Sequence, residues 1–285
     1  MSPAAWVLFA AALVLAALVG SFTCVVIDRM PYERDEPDEY GDLWGARTWR
    51  EVVGGRSRCD ACDAPVRSTD NVPVLSYLVL RGRCRDCGDR IPAFHLLVEL
   101  LVPLLFALAF WRYGWSWALL PVAVLIPPAV ALAVIDLRTF IVPTRIIWPT
   151  FFVEIAVCAA AAGLLGRWDL LLGCVVGLVT FALPLFVIWF IHPRGMGFGD
   201  VRLAVLVGWT CGFYADGSLP ASGILVAIAL FVAAVLGVVV GIGALGARGR
   251  KAQVPFGPSI VLGAYLAIVL AAPILGAFGA SATGA

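Results

Sequence analysis

Long apolar runs, interrupted by a single polar interval, set the plan of this chain. Stretches 4–27, 93–111, 117–135, 144–165, 169–191, 219–243 and 258–278 are apolar over about the 20 residues that a helix needs to cross a bilayer core. A shorter run, 201–213, flanked by Gly199 and Gly212, adds an eighth segment. The pattern predicts an all-α polytopic membrane protein of about eight transmembrane helices, with a small cytoplasmic domain between the first and second. The expected boundaries are 1–27 for the first transmembrane helix, 28–92 for the cytoplasmic domain and 93–285 for a membrane-embedded domain.

Composition agrees with this plan, since 62% hydrophobic and 14% charged residues lie outside the soluble globular range. The net charge of +1 conceals a segregation: 11 of the 20 Lys and Arg lie between Arg29 and Arg90, and 13 of the 19 Asp and Glu between Asp28 and Asp89. No charge precedes the first apolar run and no small-residue cleavage site follows it, so it reads as a retained anchor. Basic residues outside the polar interval fall mostly on one side of the predicted spans. Arg138, Arg145, Arg194, Arg202, Arg248, Arg250 and Lys251 share the side of the polar domain, against Arg112 and Arg167 on the other. Loops rich in Lys and Arg mark the cytoplasm, so both termini are expected outside it. Trp111, Tyr113, Trp115 and Trp117 cluster in an outer loop, as an interfacial aromatic belt does.

This topology puts two carboxylates on the same, cytoplasmic, side: Asp136, at the end of one apolar run, and Asp200, at the mouth of another. Ionised groups near hydrocarbon are costly and call for a partner or a task. Two carboxylates held together share one proton. The ionised one can take a proton from an attacking water while the protonated one hydrogen-bonds a peptide carbonyl, which is the chemistry of an aspartic protease. Asp200 follows three alternating glycines, Gly195, Gly197 and Gly199, which leave room for a substrate backbone and permit non-helical backbone angles. Pro143 is expected in the first turn of the next helix. The plainer reading makes both acids water-exposed helix ends. A proton-coupled transporter would also use paired aspartates, but transporters generally carry internal repeats, and none relates the halves around Asp136 and Asp200. A membrane scaffold would explain the polar domain but not the glycine-flanked carboxylate.

Cys59-x-x-Cys62 and Cys84-x-x-Cys87 have the spacing of a four-cysteine zinc site. Four thiolates leave no open position, so such a zinc is structural, and a domain this small would draw much of its folding energy from it. A redox dithiol or a disulfide pair is the competing reading, which a cytoplasmic setting disfavours. Cys24, Cys158, Cys174 and Cys211 stand alone in apolar runs and read as small hydrophobes. His95 and Glu99, four residues apart, are expected to pair with each other. Glu154 has no assignable role; His192 and Arg194 fit lipid phosphates. Gly173-x-x-x-Gly177 and Gly237-x-x-x-Gly241 permit close helix contact.

Taken in order, these stations resemble the type IV prepilin peptidases, membrane aspartyl proteases with a Gly-x-Gly-Asp signature. The match is Gly197-Phe198-Gly199-Asp200, with Arg202 where Lys is usual, and Asp136 with Val142-Pro143 after it. Gly20-Ser21-Phe22 through Met30-Pro31, Asp70 to Ser76, Arg81-Gly82-Arg83-Cys84, Leu97 to Leu100 and Pro255-Phe256-Gly257-Pro258 continue it. The resemblance implies that Asp136 and Asp200 cut the leader from type IV prepilins or pseudopilins at the cytoplasmic face of a bacterial inner membrane. It also implies methylation of the new amino terminus with S-adenosylmethionine; members with that activity usually carry the four cysteines. Another leader-bearing membrane protein is the alternative substrate, and no nucleic-acid partner is expected. The chain departs from the pattern at Cys24, where the family has Asn, and that bears on methylation rather than cleavage.

Overall fold

A computed structural model describes residues 2–33, 44–193, 196–248 and 255–283. The chain divides into two compact units, Met1–Tyr32 with Ala46–Leu108, and Glu33–Gly45 with Ala109–Ala285.

In the first unit, α1 (Pro3–Arg29) is a 27-residue apolar helix whose start is capped by the Ser2 hydroxyl accepting from the Ala5 N–H. Two short strands, β1 (Pro31–Glu33) and β2 (Trp44–Ala46), flank the undescribed residues 34–43. Then come two single-turn helices, α2 (Trp49–Val53) and α3 (Leu75–Val79). The unit closes on α4 (Ala93–Tyr113), which continues past Leu108. Gly20 lets α1 and α4 pack closely, because a Cβ there would lie 3.3 Å from the Glu99 Cα. Of the apolar side chains in 46–92, only Val52 is buried, so this interval has almost no core of its own.

The second unit is a helical bundle: α5 (Leu119–Thr139), α6 (Thr144–Leu165), α7 (Leu170–Ile191), α8 (Phe198–Phe213), α9 (Leu219–Arg248), α10 (Gly257–Val269) and α11 (Ala271–Ala277). At 16 residues α8 is too short to span, and it lies inside the bundle, with every residue from Leu206 to Phe213 buried. It gets there through glycine. A Cβ on Gly173 would sit 2.5 Å from the Gly212 carbonyl oxygen, and one on Gly208 would sit 2.8 Å from that of Gly177. The Gly173-x-x-x-Gly177 stripe thus meets a second one, Gly208-x-x-x-Gly212, which the sequence reading did not single out. Backbones approach closely where side chains are missing, and dispersion then replaces the hydrophobic drive that lipid removes. Tyr214 locks the far end of α8, donating to the Ala118 carbonyl at 2.8 Å and accepting from the Val122 N–H at 3.0 Å.

All eight apolar stretches are helical. Among the described residues, six helices are long and apolar enough to cross a membrane, and α10 with α11, bent by 73°, brings the number to seven if counted as one span. Pro143 caps α6 from the preceding position instead of opening its first turn.

Candidate active site and metal centre

Asp136 lies in the last turn of α5 and Asp200 in the first turn of α8. Both are buried, at 4% and 8% exposure, and they are near enough for their charges to interact. Helix α10 packs against both α5 and α8. Its first residue, Gly257, donates its backbone N–H to Asp136 Oδ2 at 2.9 Å, and a Cβ there would be 2.7 Å from the same oxygen. Pro255-Phe256-Gly257-Pro258 carries no catalytic side chain. Its Gly257 backs Asp136, a contact across 121 positions of chain that local pattern could not signal.

The glycines act differently from the expectation. Gly195 lies outside the described residues. Gly197 caps α8 with φ −68° and ψ 138°, extended geometry that any residue adopts, so no special backbone freedom is used. Gly199 is needed for space: a Cβ there would come within 2.9 Å of Val142 Cβ, in the turn between α5 and α6. Arg202 Nη1 donates to Thr144 Oγ1 at 2.6 Å and lies 4.6 Å from the Phe198 ring centre, fastening the start of α8 to the start of α6.

Glu154 on α6 is wholly buried and takes the Thr210 hydroxyl at 3.1 Å on Oε2. Its Oε1 has no hydrogen-bond partner among the described residues. It lies far along the helices from the aspartates.

Cys59, Cys62, Cys84 and Cys87 converge, with their Sγ atoms all within 4.8 Å of one another. Two similar turns present them. Cys59 N–H donates to Ala64 O and Asp63 N–H to Cys59 O; Cys84 N–H donates to Asp89 O and Gly88 N–H to Cys84 O. The residue after each second cysteine turns left-handed, Asp63 at φ 55° and Gly88 at φ 76°. Backbone N–H groups of Cys87 and then Asp86 draw the Cys84 thiol down to about 7. Zinc–sulfur bonds of about 2.3 Å imply tetrahedral S···S edges of about 3.8 Å, and the Cys59–Cys87 separation is 3.8 Å. The donor set therefore fits a tetrahedral, thiolate-binding ion.

A cavity of about 760 Å³ opens in the same unit, bounded by the cysteine turns and the facing ends of α1 and α4. Cys24 and Asp28, one turn apart on α1, and His95 and Glu99, one turn apart on α4, all line it. The expected His95–Glu99 pairing is replaced by partners on other elements. His95 Nε2 meets Asp28 Oδ2 at 2.7 Å, and Glu99 Oε2 accepts the Val74 N–H at 2.7 Å. Val74 holds φ 63° and ψ −51°, an outlier for a β-branched residue, so Glu99 anchors a strained turn.

Known proteins resemble the chain over most of its length. Residues 14–113 match the bacterial peptidase A24 N-terminal domain, and residues 123–242 the type IV leader peptidase family. The chain is 32% identical to a prepilin leader peptidase/N-methyltransferase of Pseudomonas putida over 94% of this chain and 92% of that protein. It is 31% identical to one of Neisseria gonorrhoeae over 90% and 88% respectively. A relative of that name from Myxococcus xanthus is 37% identical, the match covering 68% of this chain but 53% of the relative. No solved structure matches. With relatives above 30% identity aligned almost end to end, the chain belongs to the type IV leader peptidase family.

Proposed function

We propose that this protein cuts the leader peptide from type IV prepilins or pseudopilins with Asp136 and Asp200, and methylates the new amino terminus. The observation that carries the reading is that both carboxylates are buried and near enough for their charges to interact, with the first residue of α10 on Asp136. Asp136 Oδ2 already accepts a backbone N–H at a helix N-terminus, which suits it to hold the negative charge. Asp200 then carries the shared proton. Asp136 takes a proton from water as its oxygen attacks the scissile carbonyl, and Asp200 gives its proton to the carbonyl oxygen. Collapse of the tetrahedral intermediate breaks the C–N bond, and a proton passes to the leaving amine.

The excess of Lys and Arg around the aspartate-bearing ends supports a cytoplasmic face for the site, with both termini on the other side. Zinc held by Cys59, Cys62, Cys84 and Cys87 would be a structural cross-link. S-adenosylmethionine, when bound, supplies the methyl group.

Asp136→Asn and Asp200→Asn should each lower prepilin cleavage by at least about 10³-fold with metal content unchanged. Leader removal persisting in either variant would sink the dyad. Mass spectrometry of the wild-type product should show about 14 Da beyond the cleaved pilin, one methyl replacing hydrogen. An unmodified amino terminus would restrict the protein to proteolysis.

A further inference from the structure

The short helix α3, between the two cysteine pairs, carries its side chains the wrong way round for a surface in water. Leu75, Leu78 and Val79 are 62%, 59% and 75% exposed, and at this spacing they share one face of the helix. The side chains turned inward are the polar ones. Tyr77 donates its hydroxyl to the Ile91 carbonyl at 3.5 Å and packs on Gly82, where a Cβ would meet its ring at 2.9 Å. The Ser76 hydroxyl donates to the Val72 carbonyl. A helix on a soluble surface does the reverse, and adjoining exposed apolar side chains mark a surface made to be covered.

The place of α3 decides what covers it. The helix starts from a γ-turn of the strained kind: the Leu75 N–H donates to the Pro73 carbonyl at 2.6 Å, with Val74 between them at φ 63° and ψ −51°. Such a backbone persists where neighbours hold it. Here the hold is Glu99 Oε2, which accepts the Val74 N–H. Glu99 lies six positions into α4, about 9 Å along the axis of a helix long and apolar enough to span. Leu97, Leu100 and Leu104 around it are exposed, as a lipid-facing surface must be. So α3 begins beside the hydrocarbon edge of a span. It ends at Arg81, which is exposed, holds φ 52° and has no acid partner among the described residues.

We propose that α3 lies in the membrane interface, with Leu75, Leu78 and Val79 against phospholipid acyl chains and Arg81 among headgroup phosphates. Apolar burial together with attraction of a basic residue to anionic lipid is what holds an interfacial helix. The Glu99 clip sets its depth, and the apolar surface of α4 continues into that of α3. The proposal rests on α4 crossing the bilayer, and on neither cleavage nor methyl transfer. Because α3 separates the two cysteine pairs along the chain, its seat ties both cysteine turns to the membrane surface.

The test uses full-length protein in nanodiscs of phosphatidylethanolamine and phosphatidylglycerol. The photoreactive residue p-benzoylphenylalanine replaces Leu78 in one sample and Asp60, exposed in the first cysteine turn, in another. Irradiation should attach phospholipid at position 78, read by mass spectrometry as the added mass of a lipid, and leave position 60 without it. Cross-links from position 78 that reach only peptides of 109–285 or a second copy of the chain would overturn the proposal, as would a lack of any lipid adduct. Separately, Leu78→Asp combined with Val79→Asp should speed hydrogen exchange of amides 72–82 by about tenfold or more, since two side chains lose their place in the bilayer. Leu78→Ile should leave exchange as it is. Two aspartates on a water-facing surface would change nothing, so equal exchange in the double variant and wild type would also overturn the proposal.

Discussion

The cysteine-bearing interval and the glycine-packed bundle solve the problem of holding a chain together by opposite means. In 46–92 only Val52 is a buried apolar side chain, and the backbone is gathered around four thiols within 4.8 Å of one another. In the bundle, α8 is buried almost throughout, and its closest contacts are made where side chains are absent, at Gly173, Gly177, Gly208 and Gly212. The first region depends on a point cross-link and the second on a continuous surface. A point cross-link fails all at once when the ion leaves. A packed surface fails in proportion to the misfit introduced.

Chelation should break the comparison most sharply. Structural zinc is worth roughly 10 kcal/mol or more to small domains, so a strong chelator should open residues 54–92 to protease and hydrogen exchange. The helical signal of the bundle should persist. Loss of both together would mean that the bundle also leans on the metal. Next in size, Gly212→Val drives a branched side chain into the Gly173 and Cys174 backbone and should cost about 3 kcal/mol, read as a lower melting temperature in detergent with metal content unchanged. A silent Gly212→Val would show that α7 and α8 pack less closely than described.

The smallest effect lies where the α6–α7 and α8–α9 turns meet. Arg167 pairs with Asp169 at 2.6 Å and with Asp216 at 2.9 Å, and hydrogen bonds from Arg167 hold the Asp169 carboxyl below its usual range. A carboxylate lowered by folding stabilises the fold above its unfolded value of about 3.9, and that contribution disappears as pH falls through the lower folded value. The groups are nearly half exposed, so the gain is on the order of 0.5 kcal/mol. Arg167→Met should lower stability at neutral pH by about that amount and leave it unchanged in acid, so that melting temperatures of variant and wild type, measured against pH, converge below about pH 4.

Much of this organisation was legible locally. Hydrocarbon thickness imposes a length on every span, so apolar runs announce helices, and a broken run such as 201–213 announces a short one. The Cys-x-x-Cys pairs were legible because a tetrahedral ion requires ligands in tight turns, whatever surrounds them. Asp136 and Asp200 stood out because an acid in an apolar run is expensive anywhere.

Other features needed the folded molecule. His95 and Glu99 have helical spacing, yet each took a partner from another element, since close packing at Gly20 brought Asp28 within reach of one and the α3 turn within reach of the other. Gly257 looked like one more helix start until α10 lay against α5. Sequence by itself determined which residues are too costly to be idle and which segments must be helical, because those follow from transfer free energies and period. Only tertiary structure decided which of them meet, because a contact across a hundred residues is chosen by the fit of whole helix surfaces, to which each local stretch contributes a small part.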